Sequence, residues 1–209
     1  MSLTTALIPA RDPLSRKLML VLHGLGDSME GYRWLPPALD LPEMNYLLVN
    51  APDAYYGGFS WYDIYGNAGP GIHRSCQELA ELLDTTAAHS FPTALTTVLG
   101  FSQGCLLTIE LAGRHPKRFA GLVGISGYVS DPEALTGQLS PVACEQRILF
   151  THGAQDNMVS CQAVEQQVGL LRRAGLQIEW KVFNKGHTIA GDEEIRLIRS
   201  FVKAGYADG

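Results

Sequence analysis

The chain has 209 residues, 46% apolar and 18% charged, with 16 Lys and Arg against 21 Asp and Glu for a net charge of −5. That balance excludes a disordered chain, which needs low hydrophobicity and high net charge. It also argues against a nucleic-acid partner, because phosphate binding draws on clustered Lys and Arg and no basic run occurs. Cys76, Cys105, Cys144 and Cys161 are too sparse for a disulfide scaffold and lack the paired spacing of a zinc site, so they read as reduced thiols. No apolar run approaches the ~18 residues of a membrane span, and residues 1–16 lack the basic-then-apolar order of a signal peptide. At this length a fold buries roughly 70% of the unfolded surface. The expectation is one domain over residues 1–209, soluble and cytoplasmic.

In chain order, short apolar runs alternate with amphipathic stretches. Residues 17–22 (KLMLVL) and 46–49 (YLLV) form the first two runs. Residues 96–99 (TTVL), 122–125 (LVGI), 148–151 (ILFT) and 178–183 (IEWKVF) follow. None alternates strictly, as expected of strands covered on both faces. Helical spacing marks residues 72–88 through Leu79, Leu82 and Leu83, and residues 160–174 through Val164, Val168 and Leu171. Residues 192–204 repeat it through Ile195, Ile198 and Val202, with Asp192 and Glu193 in the first turn where the helix dipole favours them. This alternation predicts an α/β fold with a mainly parallel central sheet and helices on both faces. Chemistry is then expected just past the carboxyl ends of the strands.

One stretch breaks the rhythm. Residues 51–71 (APDAYYGGFSWYDIYGNAGPG) show no period and read as a long aromatic loop. Composition leaves two readings open: a surface loop packed by its own aromatics, or a flap over a substrate pocket. The same loop suits a homodimer interface as well as a flap.

Gly100-Phe101-Ser102-Gln103-Gly104 matches G-x-S-x-G, with a β-rich run before it and a helical run over residues 106–111 after it. In that context the motif is a nucleophile elbow, a sharp strand-to-helix turn that lifts a serine hydroxyl above the sheet. The flanking glycines are needed because side chains there would strike the neighbouring strand and helix. A serine hydroxyl needs a base to become a nucleophile, and on this fold the partners follow in the order Ser, acid, His. Asp156, after the 148–151 run, and His187, after the 178–183 run, meet that order. His187 would move the proton and Asp156 would orient the imidazole.

The other candidates have simpler readings. His115 suits a helix C-terminus, His73 and His89 a solvated helix face, and His152 a structural place at the start of the Asp156 loop. Asp131 reads as a turn or cap and Asp192 as a first-turn residue. An oxyanion needs two donors: the Gln103 N–H, next to the nucleophile, and an N–H from the loop His23-Gly24-Leu25-Gly26-Asp27, for which Leu25 is the candidate. His23 would pin that loop, and Asp27 would cap the helix after it.

These pieces, with Ser60-Trp61-Tyr62-Asp63, Ser126-Gly127-Tyr128, His152-Gly153-Ala154-Gln155-Asp156 and Gly186-His187, come in the order of a known family. The chain resembles the α/β-hydrolases of the small carboxylesterase, acyl-protein thioesterase and lysophospholipase group from about residue 18 to 201. The resemblance implies a serine hydrolase without cofactor or metal, acting on short to medium acyl esters or thioesters. It also places Trp61 on the acyl pocket. Two departures stand out. Cys105 replaces a second glycine after the elbow and is expected to tilt the helix or narrow the pocket. Ser160 replaces a proline and can cap the next helix. The alternatives are a lysophospholipase or acyl-protein thioesterase, which needs a longer groove, and an inactive hydrolase fold serving as a binding module.

Overall fold

A computed structural model describes residues 3–206. Its main sheet has seven strands, in the order β1-β3-β2-β6-β7-β8-β9. They are β1 (Thr5–Ile8), β2 (Lys17–Leu22), β3 (Met44–Val49), β6 (Thr96–Phe101), β7 (Gly121–Ile125), β8 (Arg147–Gly153) and β9 (Gln177–Phe183). All neighbours are parallel except edge strand β1, which runs antiparallel to β3 with Thr5 opposite Val49. The six parallel strands are the six apolar runs of the sequence, extended by up to two residues at either end. Strand β1 escaped notice because four half-exposed residues carry little periodic signal.

Helices cover both faces. On one, α2 (Ala68–Ala88), α3 (Gln103–Arg114) and α5 (Cys161–Arg173) close a core containing Leu20, Leu79, Leu106, Phe150 and Val168. On the other, α1 (Leu35–Leu39) and α6 (Asp192–Ala204) bury Met19, Val21, Leu149 and Ile198. Alternate residues of β2 thus point into different cores, which explains why its sequence is an unbroken apolar run. A short α4 (Pro132–Thr136) is capped by Asp131, whose side chain accepts the Ala134 N–H. The Ser160 side chain likewise accepts from the Ala163 N–H to cap α5.

The stretch 51–71 is not a loop without structure. It contains a two-stranded hairpin, β4 (Asp53–Tyr55) and β5 (Gly58–Ser60), and α2 begins within it at Ala68. Its aromatics divide: Trp61 and Tyr62 are fully buried, whereas Tyr56 and Tyr65 are exposed. The period-free composition hid this because each strand is only three residues long.

The chain runs from β2 outward to β3, then returns to place β6 on the other side of β2. This reversal is the switch point at which open α/β sheets form their sites. The loops after β2 and β6 meet there.

Candidate active site

Ser102 lies between β6 and α3 with φ 54° and ψ −112°, a conformation that costs a non-glycine residue about 1–3 kcal/mol. The turn is held by tight contacts. A Cβ on Gly100 would overlap the Gly104 carbonyl and Thr108 Oγ1, and one on Gly104 would overlap the Leu22 carbonyl. Helix α3 is buried nearly all round, and Leu106, Leu107 and Ile109 are fully buried. At ~1.5–3 kcal/mol for each such side chain, burial exceeds the strain at Ser102, so the elbow persists.

The three residues expected to act together lie together. His187 Nε2 is 2.9 Å from Ser102 Oγ, and His187 Nδ1 is 2.8 Å from Asp156 Oδ2. In the arrangement this favours, the Ser102 hydroxyl donates to Nε2 and Nδ1–H donates to the carboxylate. The Asp156 side chain is fully buried and that of His187 17% exposed, so the three side chains open to solvent only at the imidazole and serine end. Asp156 Oδ1 accepts the Met158 and Val159 N–H groups, each at 2.9 Å. Burial works to raise this carboxyl, but the donors from Val159, His187 and Met158 outweigh it and hold Asp156 below the ordinary aspartate range. The Phe101 ring packs against the imidazole with centroids 5.1 Å apart.

His152 is structural but not remote. It is fully buried, its Nε2 lies 3.0 Å from the Val159 carbonyl and 3.4 Å from Asp156 Oδ2, and burial lowers its pKa. It therefore stands as a neutral imidazole behind the aspartate. His115 ends α3, and His73 and His89 are exposed.

On the opposite side of Ser102, the loop after β2 brings Leu25 beside Gln103, and both line the same cavity. Gln103 begins α3, so its N–H has no acceptor four residues back. Among the described residues neither it nor the Leu25 N–H donates to another protein group. His23 pins the loop: Nδ1–H donates to the Gly24 carbonyl at 2.6 Å and Nε2 accepts the Ala51 N–H at 3.0 Å. Hairpin strand β5 supplies a second tie, with the Gly26 N–H donating to the Phe59 carbonyl and the Phe59 N–H to that of Asp27, both at 2.9 Å. Asp27 does not cap the following turn by the usual geometry. Ser28 holds the cap position, and Asp27 Oδ1 accepts the Ser28 N–H at 2.7 Å.

The Gln103 side chain has a role the sequence reading missed. Its Oε1 accepts the Trp61 N–H at 2.9 Å and the Ser60 hydroxyl at 3.3 Å, while Nε2 donates to the Tyr62 carbonyl at 2.9 Å. The available signal was a glutamine directly before the apolar residues 104–107 of the helix's first turns.

Trp61 is not on the cavity wall. It is buried beneath the hairpin, where its indole N–H donates to the His23 carbonyl at 2.9 Å. Tyr62, Ile64 and Tyr128 form that part of the wall instead, with the Tyr62 and Tyr128 hydroxyls 3.0 Å apart. Nor does Cys105 reach the cavity. Its side chain is fully buried and occupies space left by Gly124 and Gly127, where a Cβ would strike its sulfur. Burial raises its thiol pKa, so it remains protonated. The cavity holds about 650 Å³ and has an apolar flank formed by Met158, Val159, Ala163 and Val164.

A mostly parallel seven-stranded sheet with a strained serine at its switch point defines an α/β-hydrolase. The chain belongs to the phospholipase/carboxylesterase family, whose model matches residues 4–205. It is 34% identical over 154 residues to an acyl-protein thioesterase 1 of Schizosaccharomyces pombe, covering 68% of this chain and 69% of that protein. It is 29% identical over 207 residues to a probable carboxylesterase of Oryza sativa subsp. japonica, covering 90% of this chain and 77% of its relative. The crystal structure of esterase PE8 superposes with a TM-score of 0.87 at 23% identity, covering 98% of this chain and 99% of the other, a likeness of fold. Among the described residues no helix is long and apolar enough to cross a membrane.

Proposed function

We propose that the protein hydrolyses carboxylic esters of short to medium acyl chains through an acyl-enzyme on Ser102. The observation that carries this reading is the continuous hydrogen-bonded chain from Asp156 Oδ2 through His187 to Ser102 Oγ. His187 Nε2 takes the serine proton as Oγ bonds to the ester carbonyl carbon, and the carbonyl electron pair moves onto oxygen. The Gln103 and Leu25 N–H groups receive that oxyanion; one such donor is worth about 3–4 kcal/mol of transition-state stabilisation. The intermediate collapses as the carbon–oxygen bond to the leaving group breaks, and His187 returns its proton to the departing alcohol. Water then repeats the sequence: His187 removes its proton, hydroxide attacks the acyl carbon, and Ser102 leaves reprotonated with release of the carboxylic acid. Asp156 stabilises the imidazolium in both halves.

The substrate class is supported by the cavity, whose volume lies within the ~300–1,000 Å³ usual for small-molecule sites. Its apolar flank suits an acyl chain. The resemblance to an acyl-protein thioesterase favours a second reading on the same residues, in which the leaving group is a thiol or the chain is long. A cytoplasmic location agrees with four cysteines that are all free.

Hydrolysis of p-nitrophenyl esters from acetate to palmitate, by wild type and Ser102→Ala, tests the proposal. Turnover that peaks at short or medium chains and is lost in the variant is expected. A peak at palmitate favours the thioesterase or lysophospholipase reading. Wild-type turnover no greater than that of the variant on every ester overturns the enzyme mechanism and favours a binding module.

A further inference from the structure

Lys185 and Glu194 form a buried ion pair that the reaction sequence does not use. Lys185 Nζ donates to both Glu194 carboxylate oxygens, at 2.7 and 2.8 Å, with the side chains 3% and 0% exposed. Glu194 lies in the first turn of α6, and its Oε2 also accepts the Ala190 N–H at 2.5 Å. One carboxylate therefore takes donors from both ends of the segment 185–190, and His187 lies between those ends. The segment is also tied to the Asp156 loop. The Gln155 N–H donates to the Lys185 carbonyl at 3.0 Å and the Ala154 N–H to the Phe183 carbonyl at 2.8 Å.

Stability alone does not account for such a pair. Buried ion pairs replaced by apolar side chains of similar volume are often neutral or more stable. Burial lowers the Lys185 ammonium below the ordinary lysine range, with the Glu194 carboxylate working against it. What an apolar pair lacks is direction: three hydrogen bonds to one carboxylate fix where both ends of the segment stand. A ring displaced by about 1 Å from its productive place can cost 10²-fold in rate.

We propose that Lys185 and Glu194 are positioning residues for His187, closing the segment 185–190 onto α6 so that the imidazole is held between Ser102 and Asp156. The proposal rests on the Ser102–His187–Asp156 reading.

The test compares wild type with Lys185→Met/Glu194→Met, which leaves no buried charge and no anchor, and with Lys185→Met/Glu194→Gln, which restores an acceptor for the Ala190 N–H. Active sites are titrated with a fluorophosphonate, and kcat and KM per titrated site are measured on a p-nitrophenyl ester. The expected result for the double-methionine protein is a kcat lower by about 10- to 100-fold with KM little changed. Ser102 labelling should slow in proportion, and the glutamine protein should recover part of the loss. If the double-methionine protein does not fold, the glutamine protein measured against wild type carries the same comparison. A lower titrated fraction with wild-type kcat per site shows a merely structural pair and overturns the proposal. Wild type that neither turns over nor labels overturns the relay reading and this proposal together, whereas an active wild type matched by its variants overturns this proposal alone.

Discussion

The two sides of Ser102 are built differently. On the His187 side, two loops leave adjacent parallel strands, β8 and β9, and are joined by backbone hydrogen bonds, while a buried ion pair ties the second loop to α6. On the Leu25 side, the loop after β2 is braced by a hairpin distant from it in sequence, through the Phe59 backbone, the Trp61 indole and the Gln103 side chain. In the proposed reaction the first side presents side chains that move protons, and these need fixed rings and carboxylates. The second presents backbone N–H groups, and these need only a fixed main chain. Different residues can therefore supply the second side, provided their side chains hold the loop.

This contrast can be broken most sharply at the aspartate. Asp156→Asn keeps the shape of the His187 side but favours the wrong imidazole tautomer, and kcat should fall about 10⁴-fold. Near-native circular dichroism with that loss separates chemistry from folding. On the other side, Gln103→Ala keeps the backbone N–H but strands the Trp61 N–H, while the Ser60 hydroxyl still donates to the Tyr62 carbonyl at 2.8 Å. At ~1–3 kcal/mol for a buried unpaired group, urea unfolding should show a loss of about 1–3 kcal/mol. The accompanying fall in kcat should be well below that of Asp156→Asn. An equal fall would mean that the side chain acts on the reaction itself.

Acid should weaken both sides together. His23 stands behind the Leu25 loop and His152 behind Asp156, and burial holds both below the ordinary histidine value of 6.5. Below pH 6.5 the unfolded chain binds protons that these buried rings refuse, so stability falls as pH drops. The slope is up to about 1.4 kcal/mol per pH unit for each histidine. Asp156, depressed in the fold, keeps its contribution above the ordinary aspartate pKa and loses it as pH falls through its lower folded value. Urea unfolding at pH 7 and pH 5.5 checks the histidine part, and equal stabilities would contradict it. The smallest effect belongs to the hairpin tip. Tyr56 is 96% exposed, and Tyr56→Ser should change stability by less than about 0.5 kcal/mol and leave kcat unaltered. A larger change in turnover would mark the tip as part of the substrate path.

Much of this molecule is local information. Five of the six parallel strands carry an apolar run because both of their faces are covered, whereas edge strand β9 alternates over residues 178–182 and is largely open on one face. Ser102, Asp156 and His187 were legible because each follows one of these strands, and strand ends converge on one edge of a parallel sheet. Asp131 and Ser160 were legible as caps because capping acts within three residues. The stretch 51–71 was not, since its strands are three residues long and the hairpin they form is tied down through Phe59 to the distant Gly26–Asp27 backbone. Trp61 shows the same limit. An indole beside the site in sequence order can line a pocket or anchor a loop, and only the 2.9 Å hydrogen bond to the His23 carbonyl decides. Cys105 fits because Gly124 and Gly127, on another strand and the turn after it, leave it room.

By itself the sequence determined the α/β class, the mainly parallel character of its sheet and the residues that stand at the strand ends, because periodicity and motif spacing are properties of neighbours along the chain. The walls of the cavity, the brace on the Leu25 loop and the ion pair behind His187 were decided only in the tertiary structure. Each depends on contacts between segments far apart in sequence, and such contacts leave no period to read.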